Sequence, residues 1–127
     1  MKTILVDALG TFVIEGKGIN QLMFGLLKKY PNRKIILTNA NDDELIEFGL
    51  VNLPYEFFTL KHNPDKTNTE YFKKMLEHFN LQSEDVIYFE HNPEAIKSAQ
   101  SLRIVSYYYD PDKKDLQALK QFLDGKV

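Results

Sequence analysis

The stretch that decides the fold is Ile4-Leu5-Val6-Asp7-Ala8-Leu9-Gly10-Thr11. An apolar run ending in Asp and followed by Gly-Thr predicts a buried strand that delivers a carboxylate to a tight turn. A carboxylate fixed there suits covalent phosphoryl chemistry, in which it attacks phosphorus while a second acid protonates the leaving group. Asp7 supplies the attacker. Two residues on, where the acid is needed, the chain carries Leu9.

Outward from this loop, short β-prone runs alternate with helical stretches, the pattern of a parallel sheet covered by helices. Strands are expected at Thr3–Val6, Lys34–Thr38, Glu56–Thr59, Val86–Phe89 and Ile104–Tyr108. Helices are expected at Ile19–Lys29, Asp42–Phe48, Asn68–Phe79, Pro93–Leu102 and Lys113–Leu123. Asn41 is placed to cap the second helix, with Asp42, Asp43 and Glu44 in its first turn. Asn92 caps the fourth, with Pro93 at its first position. Phe72, Met75, Leu76 and Phe79 make the apolar stripe of the third. Phe12 to Gly18 reads as a small hairpin with turn glycines. The expected architecture is therefore α/β: a three-layer, Rossmann-like parallel sheet of five main strands with helices on both faces.

Four segments in order resemble the motifs of the haloacid dehalogenase (HAD) superfamily. Asp7-Ala8-Leu9-Gly10-Thr11 looks like its Asp-x-Asp-Gly-Thr loop, and Ile35-Ile36-Leu37-Thr38-Asn39 like its strand ending in a hydroxyl residue. Lys66 to Phe72 looks like its lysine segment, and Val86 to Ile96 stands where the family has a strand, Gly-Asp-Ser and a further Asp. The resemblance implies a strand order of 5-4-1-2-3, with the Asp7 strand in the centre. It also implies a single domain over residues 1–127 without a cap, because one helix and a strand or hairpin fill each interval between motifs.

In an open parallel sheet, groups at the carboxyl ends of the strands converge on one crevice. Asp7, Thr38 and the Glu90-His91 pair each end an expected strand. The resemblance assigns Asp7, Thr38 and Lys66 as catalytic positions, and Thr38, Asn39 and Lys66 as phosphate holders. Read without it, Asp7 and Thr38 are equally turn-forming residues, and Lys66 a solvated one. Lys61 is the alternative lysine. The metal position falls on Asp7, Glu90 and His91, with Glu90 expected to point to the opposite side of the strand. A zinc or iron site on these residues, with His62 as a further ligand, is an alternative.

The departures from the pattern bear on function. Leu9 cannot exchange a proton, His91 is a poor Mg²⁺ ligand, and the later family Asp falls on Ala95. The expectation is a degenerate domain of phosphatase fold, lacking ordinary Mg²⁺-dependent phosphomonoesterase activity and acting as a binding or interaction module. No cofactor is then required. The alternative is a divergent phosphohydrolase that uses Asp7 as nucleophile and Mg²⁺ as cofactor. Either reading calls for a phosphorylated small molecule or a protein partner.

With 127 residues, 43% hydrophobic and 27% charged, the chain is long enough to bury a core as one domain. A formal net charge of -2 argues against nucleic acid as a partner. The lack of cysteine excludes disulfides and thiolate metal sites and suits a cytoplasmic setting. No signal peptide and no membrane span are expected from the sequence. Nine Phe and seven Tyr are expected mainly in the core. Tyr107, Tyr108 and Tyr109 close the last strand at a sheet edge, where packing or a partner are the two readings.

Overall fold

Residues 1–127, all of which the computed structural model describes, alternate strand and helix much as their apolar periodicity dictates. The strand β1 (Thr3–Asp7) leads into a hairpin of β2 (Val13–Ile14) and β3 (Gly18–Ile19), and then α1 (Gln21–Leu27). Next come β4 (Lys34–Leu37), α2 (Asp42–Glu47), a 3-10 turn at Leu50–Asn52 and β5 (Glu56–Phe58). The second half holds α3 (Thr69–Phe79), β6 (Val86–Glu90), α4 (Pro93–Gln100), β7 (Val105–Tyr108) and α5 (Leu116–Lys126).

The five long-range strands form one parallel sheet in the order β5-β4-β1-β6-β7. Numbered among themselves, with the hairpin left out, these strands run 3-2-1-4-5, which read from the other edge is the expected 5-4-1-2-3. Side chains alternate between two cores, as a pleated strand requires. Ile4, Val6, Ile36, Ile87 and Phe89 face α1, α2 and α5, where Met23, Leu27, Leu45, Leu119 and Leu123 are buried. Leu5, Ile35, Leu37, Val86 and Tyr88 face α3 and α4, against Tyr71, Phe72, Met75 and Ala99. Each Val, Leu, Ile, Met or Phe among them contributes roughly 1.5–3 kcal/mol by leaving water, so the sheet is held from both sides.

Most helix ends follow the capping residues. Asn41 and Glu44 form a reciprocal capping box on α2, and Asn92 caps α4 with Pro93 at its start. Two starts differ from expectation by more than one residue. Ile19 pairs with Val13 in the hairpin, so α1 begins only after Asn20, which accepts from Met23 N at 3.2 Å. α5 begins at Leu116, because Asp110 first holds a turn through the amides of Asp112 and Lys113. Asp115 then caps the helix through Ala118 N. Tyr108 is exposed on the edge strand β7, Tyr109 is buried, and Tyr107 stacks on Phe122 at 5.1 Å. No helix is long and apolar enough to cross a membrane.

Candidate functional site

β1, β4 and β6 are neighbours, so their carboxyl ends bring Asp7, Thr38 and Glu90 to one place. Asp7 has the pleat parity of Leu5, and Glu90 that of Tyr88, so both face the α3 side. Lys66, in the loop that leads into α3, reaches between them. Its Nζ lies 2.7 Å from Asp7 Oδ1 and 2.8 Å from Glu90 Oε1, and donates also to Leu37 O at 3.3 Å. The other Asp7 oxygen accepts from Thr11 Oγ1 at 2.7 Å and from His91 Nδ1. The Tyr88 hydroxyl donates to Glu90 Oε1, and Asn92 N to Glu90 Oε2 at 3.0 Å. Asp7 and Glu90 are each 1% exposed and Lys66 6%.

Burial sets the charge states of this cluster. It works to raise the Asp7 carboxyl, but the Lys66 ammonium and the His91 hydrogen bond prevail and hold that carboxyl well below the usual range. Glu90, buried and facing the Asp7 charge, is pushed up to about 7 despite Lys66. Burial disfavours the Lys66 cation, yet Asp7 and Glu90 together raise it above its ordinary value. The hydrogen bond to Asp7 raises His91, against partial burial. An ionised Asp7 only accepts, so Nδ1 of His91 carries the shared proton.

The His91 ring lies against Gly10. A Cβ at Gly10 would stand 2.8 Å from His91 Cε1 and 3.0 Å from Nε2, and the residue has a φ of +89°. Glycine is therefore needed here both for the turn and for the ring. Above the cluster opens a crevice of about 580 Å³, with Leu9 and Thr38 on its walls. At its mouth, His62 Nε2 meets Glu44 Oε1 at 2.6 Å while Nδ1 meets Asp65 Oδ1 at 2.8 Å. Beside it Lys61 pairs with Asp42 at 3.0 Å.

The structure brings Asp7, Thr38, Asn39, Lys66, Glu90 and His91 to the same crevice. Glu90 departs from expectation: it faces Asp7 instead of the opposite side. Its strand runs one residue longer than expected, so Glu90 keeps the parity of Tyr88, and His91 turns back over the loop after the strand ends. Asn39 also has a structural commitment, since its Oδ1 accepts from Lys66 N at 2.7 Å and fixes the lysine loop. The Thr38 oxygen accepts from Ala40 N at 3.2 Å. Of the two lysines, Lys66 reaches Asp7 and Lys61 stays at the rim. Leu9 is half-buried beside the crevice and also packs on the core.

Sequence reading gave no role to Thr11, Tyr88 or Tyr71. Thr11 stands in the motif itself, but nothing local says that its hydroxyl turns back four residues to Asp7. Tyr88 belongs to an apolar strand and reads as core. Tyr71 donates to the carbonyls of Thr38 and Phe58 at 2.8 and 3.0 Å, anchoring the end of β4. Only the fold supplies those partners.

The donor set bears on a metal. Oxygens of Asp7 and Glu90 and a nitrogen of His91 lie within 4.8 Å of one another. The Lys66 ammonium already bridges the two carboxylates, and the third donor is an imidazole. Mg²⁺ requires hard oxygen ligands in near-octahedral geometry. These residues do not fit it. His62, engaged by Glu44 and Asp65, is not part of the cluster.

No protein-family model and no curated protein matches this sequence. Solved structures do match its shape. A HAD family enzyme from Bacteroides thetaiotaomicron, an aspartate-to-alanine variant bound to magnesium and inorganic phosphate, superposes with a TM-score of 0.63 at 14% identity, over 87% of this chain and 95% of that one. The core domain of a candidate phosphoglycolate phosphatase from Streptococcus pneumoniae gives 0.58 at 15% identity, over 86% and 80%. An uncharacterized protein from Corynebacterium glutamicum gives 0.60 at 16% identity, over 94% and 92%. The chain therefore has a HAD-like fold, shared with these neighbours. At such identities the likeness is one of architecture, and the chemistry rests on this chain's own residues.

Proposed function

We propose that this chain is a catalytically degenerate HAD-like domain that works in the cytoplasm as a binding or interaction module. Its crevice is open to a small molecule or a protein partner. The observation that carries this reading is the commitment of Asp7. Lys66 holds one of its oxygens, and Thr11 with His91 holds the other. An attacking carboxylate needs an accessible oxygen and a metal to offset phosphate charge; Asp7 is buried with both oxygens engaged, and the donor set around it does not suit Mg²⁺. Leu9 removes the acid, and the loss of one such element costs on the order of a hundred-fold or more in rate.

One observation favours the second reading, a divergent phosphohydrolase. Lys66 and Thr11, each 2.7 Å from Asp7, keep it ionised and oriented, as a nucleophile needs. An assay of purified protein decides between them, using a phosphate ester panel with Mg²⁺, Mn²⁺, Zn²⁺ and no metal. We expect negligible turnover throughout. Robust hydrolysis that Asp7→Asn abolishes refutes the module reading.

A further inference from the structure

The inference concerns what the crevice holds, and it rests on the binding-module reading above. At about 580 Å³ the crevice falls within the size range of small-molecule sites, about 300–1,000 Å³. Three half-buried apolar side chains line it: Leu9 from the Asp7 loop, Ile14 from the hairpin and Phe48 from the end of α2. Apolar groups held half-open to water gain from being covered.

The polar groups of the crevice are largely spent on one another. Asn39 Oδ1 accepts from Lys66 N, and Asn92 Oδ1 from Glu94 N. Thr38 Oγ1 accepts from Ala40 N. What these three side chains leave uncommitted are donors: two amide NH₂ groups and a hydroxyl hydrogen. His91 lines the same space with Nδ1 turned away to Asp7. A ligand head seated on these three side chains must therefore bring an acceptor.

Charge narrows the acceptor further. Four carboxylates, Asp7, Glu15, Glu44 and Glu90, line the crevice with two lysines, Lys66 and Lys114, and two histidines, of which His62 is held by Glu44 and Asp65 and His91 by Asp7. Lys66 already serves three acceptors. A phosphate dianion would thus face Asp7 and Glu90 with Lys114 as its one cation outside an ion pair, whereas a neutral carbonyl or a single carboxylate asks for less.

We infer that the crevice binds a small organic molecule with an apolar body and one carbonyl or carboxylate head. The body covers Leu9, Ile14 and Phe48, and the head accepts from Thr38, Asn39 and Asn92. This places the ligand outside the phosphate esters that the motif resemblance implies.

Three probes with one benzyl body and different heads test it: phenylacetamide, phenylacetate and benzyl phosphate. Each is titrated into isotope-labelled protein, with and without Mg²⁺, while amide signals are followed by NMR. The first two are expected to shift Leu9, Asn39 and Phe48, with benzyl phosphate binding about tenfold more weakly. Phe48→Ala and, independently, Leu9→Ser should each weaken phenylacetamide, so that failure of one variant to fold still leaves the other. Tightest binding by benzyl phosphate, strengthened by Mg²⁺ and followed by its hydrolysis, would overturn both this inference and the non-catalytic reading. Absence of binding by all three probes at millimolar concentration, or shifts confined elsewhere, would overturn this inference alone.

Discussion

The floor and the rim of the crevice are built from similar ion pairs and differ in their access to water. On the floor, Lys66 bridges Asp7 and Glu90 at 2.7 and 2.8 Å, with side chains 7%, 2% and 1% exposed. On the rim, His62 bridges Glu44 and Asp65 at 2.6 and 2.8 Å, with side chains 43%, 31% and 43% exposed. Distance alone would rank them equal. Water separates them, because it screens an exposed pair and leaves its partners solvated when the pair is broken. A buried pair has no such refuge, and a charge stranded there is costly.

The largest effect should come from stranding the floor. Lys66→Met leaves two carboxylates buried without their cation and should cost about 3–5 kcal/mol. Urea unfolding measures it. The triple change with Asp7→Asn and Glu90→Gln should recover much of that loss, which distinguishes stranded charge from lost packing. A triple variant no more stable than Lys66→Met would show that the floor is held by shape and not by charge.

Next in size is the Gly10 loop. Gly10→Ala places a Cβ against the His91 ring in a conformation with φ +89°, and should cost about 1–3 kcal/mol. Combining it with His91→Ala should return the part due to the clash and keep the part due to the backbone. Thermal melts of the pair and of each single variant give the partition.

pH sharpens the contrast between the two regions. Glu90 has its folded value pushed up to about 7 from 4.5 by burial and the Asp7 charge. The folded state thus binds this proton more tightly than the unfolded chain does. Its contribution is full below 4.5 and is lost as pH rises through about 7. His91, raised by its bond to Asp7, adds a loss of the same sign as pH rises past its ordinary value of 6.5. Stability by urea unfolding should therefore decline between about pH 5 and 8, and Glu90→Gln should flatten the lower part of that decline.

The smallest effect belongs to the rim. His62→Gln should cost less than about 1 kcal/mol and lose its effect in high salt. His62 is also raised, chiefly by its bond to Glu44, so its pairing is complete at low pH and weakens as pH rises past its folded value. A rim substitution as costly as Lys66→Met would erase the distinction drawn between the two regions.

Much of the fold was legible in advance because its signals are local. Apolar runs such as Ile35-Ile36-Leu37 and Val86-Ile87-Tyr88-Phe89 have no other stable use than buried strands, and Asn41, Asn92 and Pro93 mark helix starts through their own backbone geometry. Where reading slipped, at Ile19 and before Leu116, a competing local interaction took the residues: a hairpin pair in one case, an Asp110 turn in the other. The site was legible as a list of positions. Its wiring was not, since the commitment of Asn39 to the Lys66 amide and of Thr11 to Asp7 depends on how loops return.

The sequence by itself determined that an aspartate would stand at the end of a buried strand, that Leu9 would follow where an acid is needed, and that helices would cover both faces of the sheet. These follow from periodicity and residue chemistry within a few positions of the chain. Only the tertiary structure decided that Glu90 faces Asp7, that Lys66 and not Lys61 joins them, and that the His91 ring rests on Gly10. Those outcomes depend on the register of parallel strands and on the path of loops between residues as far apart as 7, 66 and 90. No local pattern encodes that register, because in a parallel sheet the partner strand arrives only after a helix has crossed and its own side chains have packed.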